Sequence, residues 1–198
     1  MRIRQALEAQ LGPAGQLQIS DIDVDPASVQ AILINEVVPA DPAQDFYAGE
    51  GSEYAESAIA LFRRAGVQLD SMADILHMGI YLTNAAKTPK SAYAIDPARI
   101  EESLPWLSAE RSLFPHVQVI LLMGDVAKKM VNTLAKRQTG RNVIPSGATY
   151  KLRHTPYHWG EIRVMPSYVM TGGTLLIEKS KAAMITEDIA AMAELLRQ

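Results

Sequence analysis

Four apolar runs punctuate the chain, and each is too short for a buried helix. "VQAILIN" (29–35), "IYLTN" (80–84), "VQVILLMG" (117–124) and "EIRVMP" (161–166) have the continuous hydrophobicity of strands covered on both faces. Between them the period lengthens to that of a helix. The opening "MRIRQALEAQLG" reads as a short amphipathic helix. "SEYAESAIALFRRAG" puts Tyr54, Ala58, Leu61 and Ala65 on one face, with Ser52 as N-cap and Gly66 as stop. "DPARIEESLPWLSAERSLF" (96–114) predicts a helix interrupted near Pro105 and terminated by Pro115. "DVAKKMVNTLAKRQTG" predicts a helix closed by Gly140. A last helix carries Ile185, Ile189, Met192 and Leu196 on one stripe.

Strands alternating with helices imply a mainly parallel sheet of four strands, covered on both faces. In such folds ligands bind at the carboxyl ends of strands. The chemistry is therefore expected along one rim: Asn35-Glu36, Thr83-Asn84, Met123-Gly124 and the segment after the fourth strand.

Composition narrows the class. With 198 residues, 48% hydrophobic and 21% charged, the chain is expected to form one domain spanning 1–198. No apolar stretch reaches the ~18 residues of a membrane span. The start lacks the pattern of a signal peptide, so the expected location is cytoplasmic. The absence of cysteine excludes disulfides, thiolate metal sites and cysteine-held iron–sulfur clusters. His154 and His158 lie four apart, but Pro156 sits between them and no third ligand is near, so no metal or other cofactor is expected. Dinucleotide-binding and P-loop glycine patterns are missing, as is the G-x-S-x-G elbow of α/β-hydrolases.

Charge changes the picture once. Net charge is −3, yet residues 124–163 hold eight cations and only two anions, Asp125 and Glu161. Such a stretch fits phosphate, although a solvated helix face would look the same.

Several motifs, in order, resemble the uracil-DNA glycosylase superfamily over roughly 29–197. "YLTNAAKTPK" resembles the strand that delivers an Asn to a uracil pocket. "LPWLSAERSLFPHVQVILLMGDVAKKMV" resembles the family's helix, apolar strand, glycine and second helix. "IRVMPSYVM" resembles a strand running into a His-Pro-Ser-Tyr loop. "LINEVVPADPAQDFY" stands where the water-activating motif and pocket aromatic belong. The resemblance implies a three-layer α/β/α fold and a monomer that acts on DNA, excising uracil or a related deaminated base. A member that has lost catalysis and binds nucleobase, nucleic acid or protein is the alternative.

Residue roles follow from the resemblance. Asn84 would bind the base, since one amide satisfies both the N3–H donor and the O4 acceptor of uracil. Phe46, or next Tyr47, would stack on it. Glu36 is the first candidate to orient or deprotonate water, with Asn35 and Asp41 as alternatives. Met165, Pro166, Ser167 and Tyr168 would form the loop against DNA. Lys87, Lys128, Arg141, Lys151 and Arg153 would contact phosphate, with Lys129 as a further accessory.

Two departures stand out. Met165 occupies the place of a His that donates to the departing base, and a thioether has no proton to give. Losing such a donor costs on the order of 3–4 kcal/mol. Tyr168 or His158 could supply one, and Met165→His should raise activity. The first motif also departs, since "INEVVPAD" stands where many members have a Gly, a polar residue and a Pro-Gly turn; the four cysteines of the family's iron–sulfur branch are missing as well.

Overall fold

The structure is a computed structural model, and it describes residues 1–91, 94–172 and 178–197. In chain order the elements are α1 (Ile3–Leu11), β1 (Ala31–Val37), α2 (Glu53–Arg64), α3 (Met72–His77), β2 (Ile80–Ala86), α4 (Pro97–Ser112), β3 (Val119–Met123), α5 (Asp125–Thr139), α6 (Thr149–Leu152), β4 (Tyr157–Trp159), β5 (Ile162–Ser167) and α7 (Lys179–Leu195). The sheet has the order β2-β1-β3-β5-β4. Its first four strands run parallel, and β4 pairs antiparallel with β5. Helices cover both faces, giving the expected three layers.

Among the described residues the sheet thus has five strands where four are expected. Strand β4 is only three residues long and lies among turns, so it has no apolar run to announce it. A second difference is α4, which runs unbroken through Pro105. The missing N–H would have bonded the carbonyl of Glu101. Both residues sit on the exposed side of the helix, where water can take that carbonyl.

Alternation along the strands sorts the core into two halves. Ala31, Leu33, Ile80, Leu82, Leu121 and Met165 face α2, α3 and α7. Ile32, Ile34, Tyr81, Ile120, Leu122 and Val164 face α1, α4 and α5. Helix α2 is anchored at both ends. Ser52 caps it by accepting from Ala55 N–H, and Arg63 and Arg64 in its last turn complement its dipole.

Connections decide where a crevice opens. The chain leaving β1 goes to α2 on one face, and the chain leaving neighbouring β3 goes to α5 on the other. The carboxyl ends of β1 and β3 are therefore the topological switch point of the sheet.

Candidate functional site

Register sets the polar rim. Asn84 pairs with Asn35, Asn35 with Met123, and Met123 with Ser167, so one row crosses four strands. Period-two alternation turns this whole row toward the α2/α7 side. The next row back consists of Leu82, Leu33, Leu121 and Met165. Polar chemistry thus begins one register step from the carboxyl edge and stops there.

Asn35 and Asn84 are both buried, and a chain of hydrogen bonds fixes their orientation. Asp45 Oδ1 accepts the Phe46 N–H and the Asn84 Nδ2 amide, both at 2.9 Å. Asn84 must then turn Oδ1 toward Asn35, whose Nδ2 donates to it at 3.0 Å. The same Nδ2 donates to Thr171 Oγ1 at 3.0 Å. Both amide protons of Asn35 are consumed, and its Oδ1 is left as a buried acceptor without a partner among the described residues. A buried carbonyl in that condition calls for a donor from outside the protein, since native interiors seldom leave one unmet. Burial pushes the Asp45 carboxyl above its ordinary value, against the pull of Phe46 N–H, Asn84 and Lys87.

Glu36 points to the opposite face, at the switch point. Its Oε1 accepts the backbone N–H of Val126 at 3.0 Å, in the first turn of α5, where the helix dipole favours an anion. Gly124 makes this approach possible. Its φ is +111°, and a Cβ there would lie 2.4 Å from Glu36 Oε1.

Asn35 and Glu36 open on one pocket of about 490 Å³, walled by residues 37–40, Glu53, Tyr54, Pro89, Lys90, Val169, Thr171 and Gly172. Tyr54 donates its hydroxyl to the carbonyl of Val37 at 3.0 Å. Burial raises its phenol above the ordinary range, and contact with the Thr171 hydroxyl opposes that rise.

The candidate residues from the sequence divide sharply. Asn35 and Glu36 line the pocket, whereas Asp41 is exposed and spends its carboxylate capping a 3-10 turn through Ala43 N–H. Phe46 and Asn84 lie on the same side, joined through Asp45, but each stands behind a pocket residue. Phe46 is fully buried against Tyr54, at 5.3 Å between ring centroids, and Asn84 is bonded behind Asn35. Tyr47 turns to a different hollow and stacks on Tyr81. Its oxygen accepts the Leu82 N–H, covering the open edge of β2.

The loop after β5 differs from expectation. Met165, Pro166 and Ser167 belong to the strand itself. Met165 is packed in the leucine row, and Ser167 donates to Asp188 on α7 at 2.6 Å. Tyr168 follows the strand, with Lys181 over its ring. Neither Tyr168 nor His158 lines the pocket, so neither replaces the missing donor.

Two of the five phosphate candidates are corrected. Lys87 is buried and pairs with Glu110 at 2.5 Å. Arg153 is buried and held by Asp188 and Glu187. Burial with a bound counter-charge leaves neither cation free for phosphate. Lys128 pairs with Asp125, while Arg141 and Lys151 are exposed.

Sequence reasoning missed Asp45, Tyr54, Lys90 and Thr171 as site residues. Tyr54 shows only as a member of a helical stripe. Thr171 lies 136 positions from its partner Asn35, beyond any local spacing rule.

The geometry meets an independent finding. The family model described as "Uracil DNA glycosylase superfamily" matches residues 40–182, most of the chain and most of the rim. No curated protein matches it. With its α/β/α layers, its crevice at the β1/β3 switch point and this match, the chain belongs to the uracil-DNA glycosylase superfamily.

Proposed function

We propose that the protein is a DNA glycosylase that hydrolyses the N-glycosidic bond of uracil or a related deaminated base. The observation that carries this reading is the unpartnered Oδ1 of Asn35, buried at the pocket that Glu36 also lines. A water bound there would donate one proton to Asn35 and lie near the Glu36 carboxylate. Its oxygen attacks the anomeric carbon as the carbon–nitrogen bond breaks. The bonding electrons leave with the base, and the water's proton passes to Glu36.

Asn84 is assigned to the base edge. Beside its bond from Asn35 its amide keeps one lone pair, and departure of Asp45 would release the N–H it now holds, which together are the two complements that uracil requires. A base reaches it only when the loop carrying Asp45 moves aside. Lys90 is the cation that opens on the pocket, and it is suited to offset charge on the departing base.

A second reading is a member that binds a nucleobase or nucleic acid without cleaving it. The observation favouring it is Met165, which packs one row behind the rim and offers the pocket no donor where the family places a His.

Oligonucleotides bearing uracil, hypoxanthine or xanthine, single-stranded and paired, decide between them. Wild type should release a base from at least one, and Glu36→Gln should lower kcat about 100-fold or more. Equal rates would remove Glu36 from the reaction. No release from any substrate, with binding retained, would establish the second reading.

A further inference from the structure

A larger cleft lies outside the glycosylase pocket. It holds about 590 Å³ between α5 and residues 142–146. We propose that this cleft is a second binding site, for the phosphodiester backbone of a nucleic acid strand. The inference extends the DNA reading but does not require a catalytically competent pocket.

Helix α5 is built in two stripes. Ala127, Met130, Val131 and Ala135 are buried against the sheet. The opposite stripe recurs every three or four residues and carries Lys128, Lys129, Thr133, Lys136 and Arg137 into the cleft. From residue 126 to 160 the sequence contains no Asp or Glu.

A solvated helix face would need no opposing wall, and this one has a built wall. Asn132 accepts the N–H groups of Val143 and Ile144 and donates to the carbonyl of Ile144. Ile144 is itself fully buried. Those bonds hold the 142–146 segment along the basic stripe and turn a surface into a groove.

Spacing and continuity fit a strand. Lys129 and Lys136 are seven residues apart, about 10 Å along the helix. That covers roughly three steps of a nucleic acid strand at 3.4 Å each. The groove begins at Asp125 and Lys128, beside the Val126 N–H that holds Glu36, so a strand leaving the pocket meets it at once. Two of the cations have acidic partners in this structure, Lys128 with Asp125 and Arg137 with Glu101. Asp125 is 82% exposed and Glu101 59%, so these pairs are weak and a phosphate can displace them.

The test uses the full chain and a short fluorescent oligonucleotide without any lesion, titrated between about 50 and 200 mM salt. Wild type should bind with affinity that falls steeply with salt. Lys129→Glu with Lys136→Glu should weaken binding at least about tenfold and flatten the log–log salt slope by about two, one per lost phosphate contact. Arg64→Glu with Lys179→Glu changes net charge equally on the far side of the sheet and should leave affinity near wild type. Equal weakening by both double variants would overturn the site, as would an absence of salt-dependent binding. Capture of a poly-glutamate peptide in place of the oligonucleotide would make the groove a protein-docking surface and overturn it too. The probe carries no damaged base, so binding without excision on lesion substrates would refute only the glycosylase reading.

Discussion

Neighbouring residues of β2 begin two polar clusters with opposite characters. Thr83 points toward α4 and Asn84 toward α2 and α7. Behind Thr83 every group is satisfied. Glu110 accepts from Tyr81, Thr83 and Lys87, and the Lys87 ammonium also donates to Thr83. Even the Lys87 backbone N–H is taken, by Ser103 Oγ. Behind Asn84 the chain of amides ends in one acceptor that no described residue meets. Both clusters are buried, and both sit at the end of one strand. The difference between them is saturation. A closed set of partners braces the strand end, whereas a deliberately open one invites a ligand.

The strongest way to break this comparison is to open the closed cluster. Lys87→Ala leaves the Glu110 carboxylate buried beside two hydroxyls and no cation. That should cost about 3–5 kcal/mol, read as a fall in the denaturation midpoint. Lys87→Met combined with Glu110→Leu removes both charges and should recover most of the loss. If the single change is harmless, the cluster does not brace the strand.

A smaller effect is expected from moving polarity one row deeper. Met165 lies behind the rim on the Asn84 side, among leucines. The sequence resemblance suggests that Met165→His would restore a donor to the pocket. The structure argues otherwise, because Met165 packs in an apolar row behind the rim and not in the pocket. The variant should lose about 2–3 kcal/mol by urea unfolding, through an unpaired buried polar group, with no gain in base release. A gain in release without that loss would show that position 165 reaches the pocket.

The contrast also marks what the sequence can reveal. Strands β1, β2, β3 and β5 are legible because a strand covered on both faces must be continuously apolar. The positions of Asn35, Glu36 and Asn84 at strand ends follow from those runs. What escapes is set by register and by contacts distant in sequence. Nothing local says that Asn35, not Asn84, faces the pocket, or that Tyr54 screens Phe46 from it. The charge of Lys87 suggests phosphate, because a lysine in a sequence carries no sign of the glutamate that will bury it. Pro105 misleads for the opposite reason. A local rule predicts a break, and an exposed carbonyl removes the penalty.

The finest test of the open cluster concerns Asp45, which decides which atom each amide presents. Asp45→Ala frees an Asn84 N–H and lets both amides turn over, at a cost of about 1–2 kcal/mol. Asp45→Asn can still accept from Phe46 and Asn84 through its carbonyl, so it should keep the stability and any base release that the alanine variant loses. The two also differ from wild type in their response to pH. Burial raises the folded-state Asp45 carboxyl above its unfolded value near 3.8, so the folded chain holds that proton more tightly. Its contribution to stability is complete below 3.8 and is lost as pH rises through the raised value. Urea unfolding across that window should show wild type losing stability relative to Asp45→Asn, which has no proton to lose. Parallel curves would mean that the hydrogen bonds from Phe46 N–H and Asn84, with the Lys87 charge, fully offset the burial of the Asp45 carboxylate.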